Sequence, residues 1–157
     1  MNNTTSPSHT PTPLKSIEGH MDFESLYTAG LGYETFLRKI KNEATLVASI
    51  CSKTKKRFLP ARLFNEQNMN RMTEIEPVTE PGTLTSFTSV HQDLDSAPLS
   101  TPITVGWITW KGIEGGLIHF IQSNGKKLKA GLKVKPHFRP AESRTGSILD
   151  IECFKVL

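Results

Sequence analysis

Cys51-Ser52-Lys53-Thr54-Lys55-Lys56-Arg57-Phe58-Leu59-Pro60-Ala61-Arg62-Leu63-Phe64-Asn65-Glu66-Gln67-Asn68 is the stretch that decides how this chain is read. Two residues separate Cys51 from Thr54, and two separate Asn65 from Asn68, with a short hairpin carrying Pro60 and Arg62 between the pairs. That is the rhythm of a zinc ribbon. Yet only the first of the four ligand positions is a cysteine; Thr54, Asn65 and Asn68 hold the others. Structural zinc takes four thiolate or imidazole ligands, and this segment offers one. The spacing therefore predicts a ribbon that keeps its shape without its metal, with a function that lies in what the shape docks to.

Before the ribbon, residues 1–20 are rich in Thr, Ser, Pro and Asn and nearly free of large apolar residues, which reads as a disordered leader. They lack the basic start and apolar stretch of a signal peptide, and no apolar run in the chain approaches a membrane span. Residues 21–43 form an N-terminal helical segment. Tyr33, Phe36, Leu37 and Ile40 recur at three- and four-residue spacing, one face of a helix over about 32–42 that stops near Asn42. This stripe either packs onto the rest of the protein or docks a partner. Residues 44–73 are the degenerate ribbon. Residues 44–50 are β-prone, and Phe58-Leu59 reads as a hairpin arm with Pro60 at an edge. Residues 74–81 are acidic with two prolines and read as a linker.

After Gly82 the pattern changes. Residues 83–91, 103–110, 116–122, 133–139 and 148–156 are five β-prone segments separated by Gly, Pro and Ser clusters. Five short strands suit a small closed barrel, because closure removes exposed edges. With residues 124–132 as a turn or single helical turn between the third and fourth strands, residues 74–157 read as an OB-type barrel. The fold expected is mainly β, with an N-terminal helix and a degenerate rubredoxin-like ribbon ahead of that barrel.

The net charge is +4, unevenly spread. No acid falls between Glu114 and Glu142, where Lys126, Lys127, Lys129, Lys133, Lys135 and Arg139 collect; Lys53, Lys55, Lys56, Arg57 and Arg62 form a second cluster. Such patches suit a polyanion, nucleic acid or the phosphates of a nucleotide cofactor, or form a solvated lysine face. Cys51 and Cys153 stand far apart with no secretory signal, which points to a reducing cytoplasm. Their number alone permits a disulfide; the compartment argues against it. No complete active site is visible: hydrolase, zinc-protease and phosphate-loop motifs are missing. His91 and His119, at strand positions that could face one another across the barrel, are the best acid–base pair, or are structural.

Several runs together carry a family resemblance. They are Tyr27-Thr-Ala-Gly30 before the Phe36 helix, Cys51 with Pro60-Ala-Arg62, the strand from Gly82 to His91, Gly115-Gly-Leu-Ile-His119, Gly131-Leu-Lys-Val134 and Arg144-Thr-Gly-Ser-Ile-Leu-Asp-Ile151. The chain resembles the small proteins that join an N-terminal helix and rubredoxin-like zinc ribbon to a C-terminal OB fold, the acyl-CoA-associated accessory subunits of thiolases and related acyltransferases. Relatives with an intact ribbon have cysteine at the positions of Cys51, Thr54, Asn65 and Asn68. Here Cys51 becomes a small apolar core residue, or binds a metal shared with a partner or completed by His20. The resemblance implies a non-catalytic accessory subunit of a thiolase-like enzyme acting on acyl-CoA, with no tightly bound cofactor of its own; the cysteines and hydropathy add a cytoplasmic protein without membrane attachment, and the three lost thiolates argue against zinc. Arg62, Lys126, Lys127 and Arg139 would meet the coenzyme A phosphates. The ribbon would be supported by the helix, by Phe58 and Phe64, or by the partner. The alternative function is a single-stranded nucleic-acid-binding OB protein, with Trp107, Trp110 and Phe120 as stacking candidates.

Overall fold

The computed structural model describes residue 19, residues 24–25 and residues 27–157. The leader over 1–20 thus lies outside the described residues except for Gly19, as do 21–23 and 26 of the helical segment.

The periodic stripe forms α1 (Gly30–Glu43), two residues longer at its start than expected and one longer at its end. Phe36 and Ile40 are buried, and Tyr33 and Leu37 pack against the same core. The stripe is therefore a core face. Gly32 lets the helix sit directly on the following segment, since a Cβ there would lie 2.5 Å from the Leu63 backbone nitrogen. At the other end Ala44 turns left-handed (φ 49°), and its N–H bonds the Ile40 carbonyl. Arg144 Nη1 donates to the Lys41 carbonyl at 2.8 Å, satisfying a group the helix cannot satisfy itself.

Four short strands make the first sheet: β1 (Val47–Ile50), β2 (Arg57–Leu59), β3 (Glu74–Pro77) and β6 (Ile113–Gly115), in the order β3-β1-β2-β6. Two sequence expectations need correcting. The acidic segment read as a linker supplies β3, antiparallel to β1 from Val47↔Pro77 to Ile50↔Glu74; its prolines mislead because an edge strand tolerates them. Nor is β2 an edge, for it runs parallel to β6, with Phe58 opposite Glu114.

The second sheet closes on itself: β4 (Gly82–Gln92), β5 (Pro98–Thr109), β7 (Leu117–Gln122), β9 (Ile151–Val156) and β8 (Lys133–Phe138), in that ring order. With β7 and β9 parallel and the other pairs antiparallel, this is an OB-type arrangement. The expected strands are present with shifted ends. β5 begins at Pro98, because beyond the ring β4 and β5 continue as a free hairpin whose edges accept proline. The fifth segment starts as a 3-10 turn, Ile148–Asp150. Two seams close the ring, each two residue pairs long: Gly82↔Val134 with Thr83↔Lys133, and Ile121↔Phe154 with Gln122↔Lys155. Ahead of β9, buried Asp150 accepts the N–H groups of Thr145, Gly146 and Ser147 at 2.7–3.2 Å. Burial pushes its pKa up, but these bonds and one from the Thr145 hydroxyl outweigh it and hold the carboxyl below its ordinary range.

One core joins both sheets. Phe36 and Ile40 of α1, Val47 and Leu59 of the first sheet, and Leu84, Ile108, Val134, Ile151 and Phe154 of the barrel belong to a single buried cluster. Support for the ribbon region thus comes from within the chain. The join is the Gly115-Gly116 step: Gly116 N–H donates to the Leu59 carbonyl at 3.0 Å. A Cβ on Gly115, whose φ is +88°, would lie 2.4 Å from that same oxygen. Gly115→Ala should therefore cost about 1–3 kcal/mol of stability, read as a lowered thermal midpoint.

Candidate functional site

The residues between β1 and β2 and those after β2 form two turns of one design. Lys55 N–H bonds Cys51 O at 2.7 Å, and Met69 N–H bonds Asn65 O at 2.8 Å. Cys51 N–H bonds Lys56 O, and Asn65 N–H bonds Asn70 O, both at 2.9 Å. Lys55 and Met69 take the left-handed conformation, φ 58° and 54°. The turns face each other across the Cys51 sulfur. Asn68 Nδ2 lies 3.8 Å and Asn70 Nδ2 3.7 Å from it. Hydrogen bonding from the side chains of Thr54 and then Asn65 lowers the thiol pKa from 9.0 to about 6, against burial, with the backbone N–H groups of Thr54 and Lys53 adding to the fall. The four positions read from the spacing do converge. Phe58 and Met72 close the site from below.

The donor set does not fit a tetrahedral zinc. Cys51 is its one soft ligand; Asn68 turns its amide nitrogen toward the sulfur, and Asn70 Nδ2 donates to Ser52 Oγ at 3.0 Å and to the Arg71 carbonyl at 3.2 Å. Asn65 Oδ1 is already engaged by Gln67 N–H and Asn68 Oδ1 by Asn70 N–H, both at 3.0 Å, so nitrogen is what each has left to offer. Among the described residues, no group of three or more His, Cys, Asp or Glu side chains could hold a metal ion.

The four basic residues expected at coenzyme A are not brought together. Arg62 belongs to the first sheet region, lies over the Phe58 ring at 5.3 Å and pairs with Glu66. It lines a groove of about 320 Å³ between the start of α1 and residues 60–63. Lys126 and Lys127 sit in the exposed turn before β8, where Lys126 Nζ donates to the Leu157 carbonyl. Arg139 follows the far end of β8, about 20 Å away along a six-residue strand.

The histidines do not pair either. His119 points into the barrel, 6% exposed, with its ring against Phe154. Its Nδ1 accepts from Phe120 N–H at 2.9 Å, which leaves Nε2 to donate to the Ile148 carbonyl at 3.3 Å. Burial lowers its pKa, partly offset by that carbonyl. His91 is exposed on the hairpin beyond the ring. The expected facing pair is corrected: β4 outruns the barrel by the time it reaches His91. His137 lies 3.6 Å from Glu152 on the outer surface.

The outer face of β4, β5 and β7 is a different kind of surface. Register puts Ser86, Trp107 and Ile118 in one row and Thr88, Val105 and Phe120 in the next, with Val90 opposite Ile103 beyond. Ile118 is 68% exposed, and Ile103, Phe120 and the adjacent Leu149 are also open to solvent. None of these nine residues is charged. Two adjoining hollows of about 240 and 210 Å³ share Val105 and Ile118. Trp110, by contrast, is buried at 5% exposure and donates Nε1–H to the Glu80 carbonyl.

No family model matches this chain, and no curated protein matches it. Among the solved structures similar to it are the following two. One is a protein of unknown function from the DUF35 family of Sulfolobus solfataricus, at 22% identity and a TM-score of 0.59, over 78% of this chain and 81% of that one. The other is the Ltp2-ChsH2(DUF35) aldolase, at 16% identity and a TM-score of 0.57, over 76% of this chain and 92% of that one. The chain shares their fold.

Sequence reasoning missed Asn70 and the apolar face as a unit. Nothing marks Asn70, which lies outside the paired spacing; the face was legible only as alternation at Ile103, Val105 and Trp107. For His119, a folded pKa below the unfolded 6.5 means its stability contribution is complete above pH 6.5 and lost as pH falls below it. The thermal midpoint should drop on acidification below that pH, and His119→Gln should flatten part of the drop.

Proposed function

We propose that this protein is a non-catalytic accessory subunit that docks onto a thiolase-like enzyme acting on acyl-CoA substrates. The observation that carries the reading is the uncharged apolar face of β4, β5 and β7. Monomers rarely leave such a surface open without a partner. The shared fold with a protein named as an aldolase assembly supports the same direction. The partner supplies the catalytic groups: His119 spends both ring nitrogens inside the barrel, and His91 stands apart from it. Lys126 and Lys127, adjacent on the turn before β8, are the cations offered to coenzyme A phosphates. Two free thiols suit a reducing compartment such as the cytoplasm. Among the described residues, no helix is long and apolar enough to cross a membrane.

A single-stranded nucleic acid would use Trp107 and Phe120 as stacking platforms. It also needs cations beside them to meet its phosphates, and that face has none.

Co-expression with a thiolase-like subunit encoded beside this chain, followed by gel filtration, should give a hetero-oligomer. Ile118→Glu should weaken it by about 2 kcal/mol or more, roughly thirtyfold in affinity, without unfolding the chain. Lys126→Ala with Lys127→Ala should raise the complex's KM for acyl-CoA and leave assembly intact. No hetero-oligomer, together with salt-sensitive binding of single-stranded DNA, would overturn the reading.

A further inference from the structure

Beyond Leu84, the edge of β4 that faces away from β5 is open. β8 pairs with β4 only at Gly82 and Thr83. Two more bonds, Leu84 N–H to the Leu132 carbonyl and Gly131 N–H to the Leu84 carbonyl, end that ladder. A register shift between Leu84 and Ser86 marks a bulge there, which bends the strand. Among the described residues, no backbone group meets residues 85–92 from that side.

An open strand edge is a template for another strand, and proteins blunt such edges with proline and charge. This chain does so elsewhere. β3 carries Glu74, Glu76 and Pro77 on the rim of its sheet. The part of β5 past β7 carries Pro98 and Pro102, and the part of β8 past β4 carries Lys135 and Pro136. Residues 85–92 read Thr-Ser-Phe-Thr-Ser-Val-His-Gln, with no proline, lysine, arginine or acid. All are exposed except Val90, which is half-buried.

We infer that this edge pairs with the same edge of a second copy of the chain, β4 against β4, antiparallel across a two-fold axis. Two observations favour a second copy over a strand of another protein. The first is self-complementarity. A two-fold contact sets a stretch against itself, so a lysine or an acid within it would meet its like at a cost; residues 85–92 contain neither. The second is size. A standard interface uses about 20–30 residues a side, and the uncharged face of β4, β5 and β7 supplies nine. Edge pairing leaves that face open and continues it across the axis into the face of the mate. The pooled surface approaches what a docked enzyme subunit needs. That second point rests on the proposed function; the pairing itself does not.

The test is sedimentation velocity on the full chain alone across about 1–100 μM, where an interface below standard size dissociates. A concentration-dependent equilibrium between monomer and dimer is expected. Ser89 alternates with Thr88 and Val90, so its side chain lies off the docking face. Ser89→Lys should raise the dissociation constant about tenfold or more, and Ser89→Thr should leave it unchanged, both with the thermal midpoint of the parent. Ile118→Glu, on the docking face and away from the edge, should stay dimeric. A monomer at every concentration would overturn the inference. So would a dimer that Ile118→Glu breaks and Ser89→Lys spares, for then the copies meet through their faces. If the chain alone is monomeric and Ser89→Lys blocks assembly with the thiolase-like subunit, the edge receives a strand of that subunit, and the inference falls while the proposed function stands. A dimer that Ser89→Lys dissolves, with no hetero-oligomer on co-expression, supports the inference and removes the proposed function.

Discussion

The parallel pairing of β2 with β6 is the constraint on which the rest of this structure depends. β6 belongs to the connection between two barrel strands, yet it hydrogen-bonds to the other sheet. A four-stranded sheet of three- and four-residue strands cannot bury a core of its own. Here it does not need to, because β6 brings it to the barrel and α1 covers the junction with Phe36 and Ile40. The approach is close enough to demand glycine. At both Gly115 and Gly116 a Cβ would stand 2.4 Å from a carbonyl oxygen, that of Leu59 and that of Ile108. Two adjacent residues without side chains therefore decide that helix, ribbon region and barrel form one body.

Much of this was legible in the sequence wherever a regular period met burial. The α1 stripe showed because its apolar residues recur at helical spacing, and the barrel strands because β-branched residues alternate between turn residues. The paired spacing around Cys51 and Asn65 located two matching turns even though three ligand residues were gone. What stayed hidden were long-range choices. β3 is acidic and proline-flanked, so nothing local distinguishes an edge strand from a linker. The fate of His91 depends on how far the hairpin outruns the ring, which pairing register fixes and composition does not. The basic residues were visible as clusters in the sequence, but β8 holds Lys126 and Arg139 at opposite ends.

The surface divides into regions of distinct chemistry. Lys133, Lys135 and Lys155 face outward from β8 and β9, with Lys135 directly opposite Lys155. Like charges in that position oppose one another. The β4, β5 and β7 face carries no charge, and the two turns at Cys51 are joined by neutral groups, with Asn70 Nδ2 donating to Ser52 Oγ at 3.0 Å. A barrel with its cations on one flank and its apolar residues on another can engage two unlike surfaces at once. That suits a protein whose proposed work is done in company.

The two seams that close the ring are each only two residue pairs long, whereas β8 and β9 share five. Beside β8 the seam is lengthened by Leu84 N–H to the Leu132 carbonyl and Gly131 N–H to the Leu84 carbonyl, both at 2.8 Å. Closure of the ring thus rests less on its ladders than on the fully buried Leu84, Val134, Ile151 and Phe154 that meet inside it.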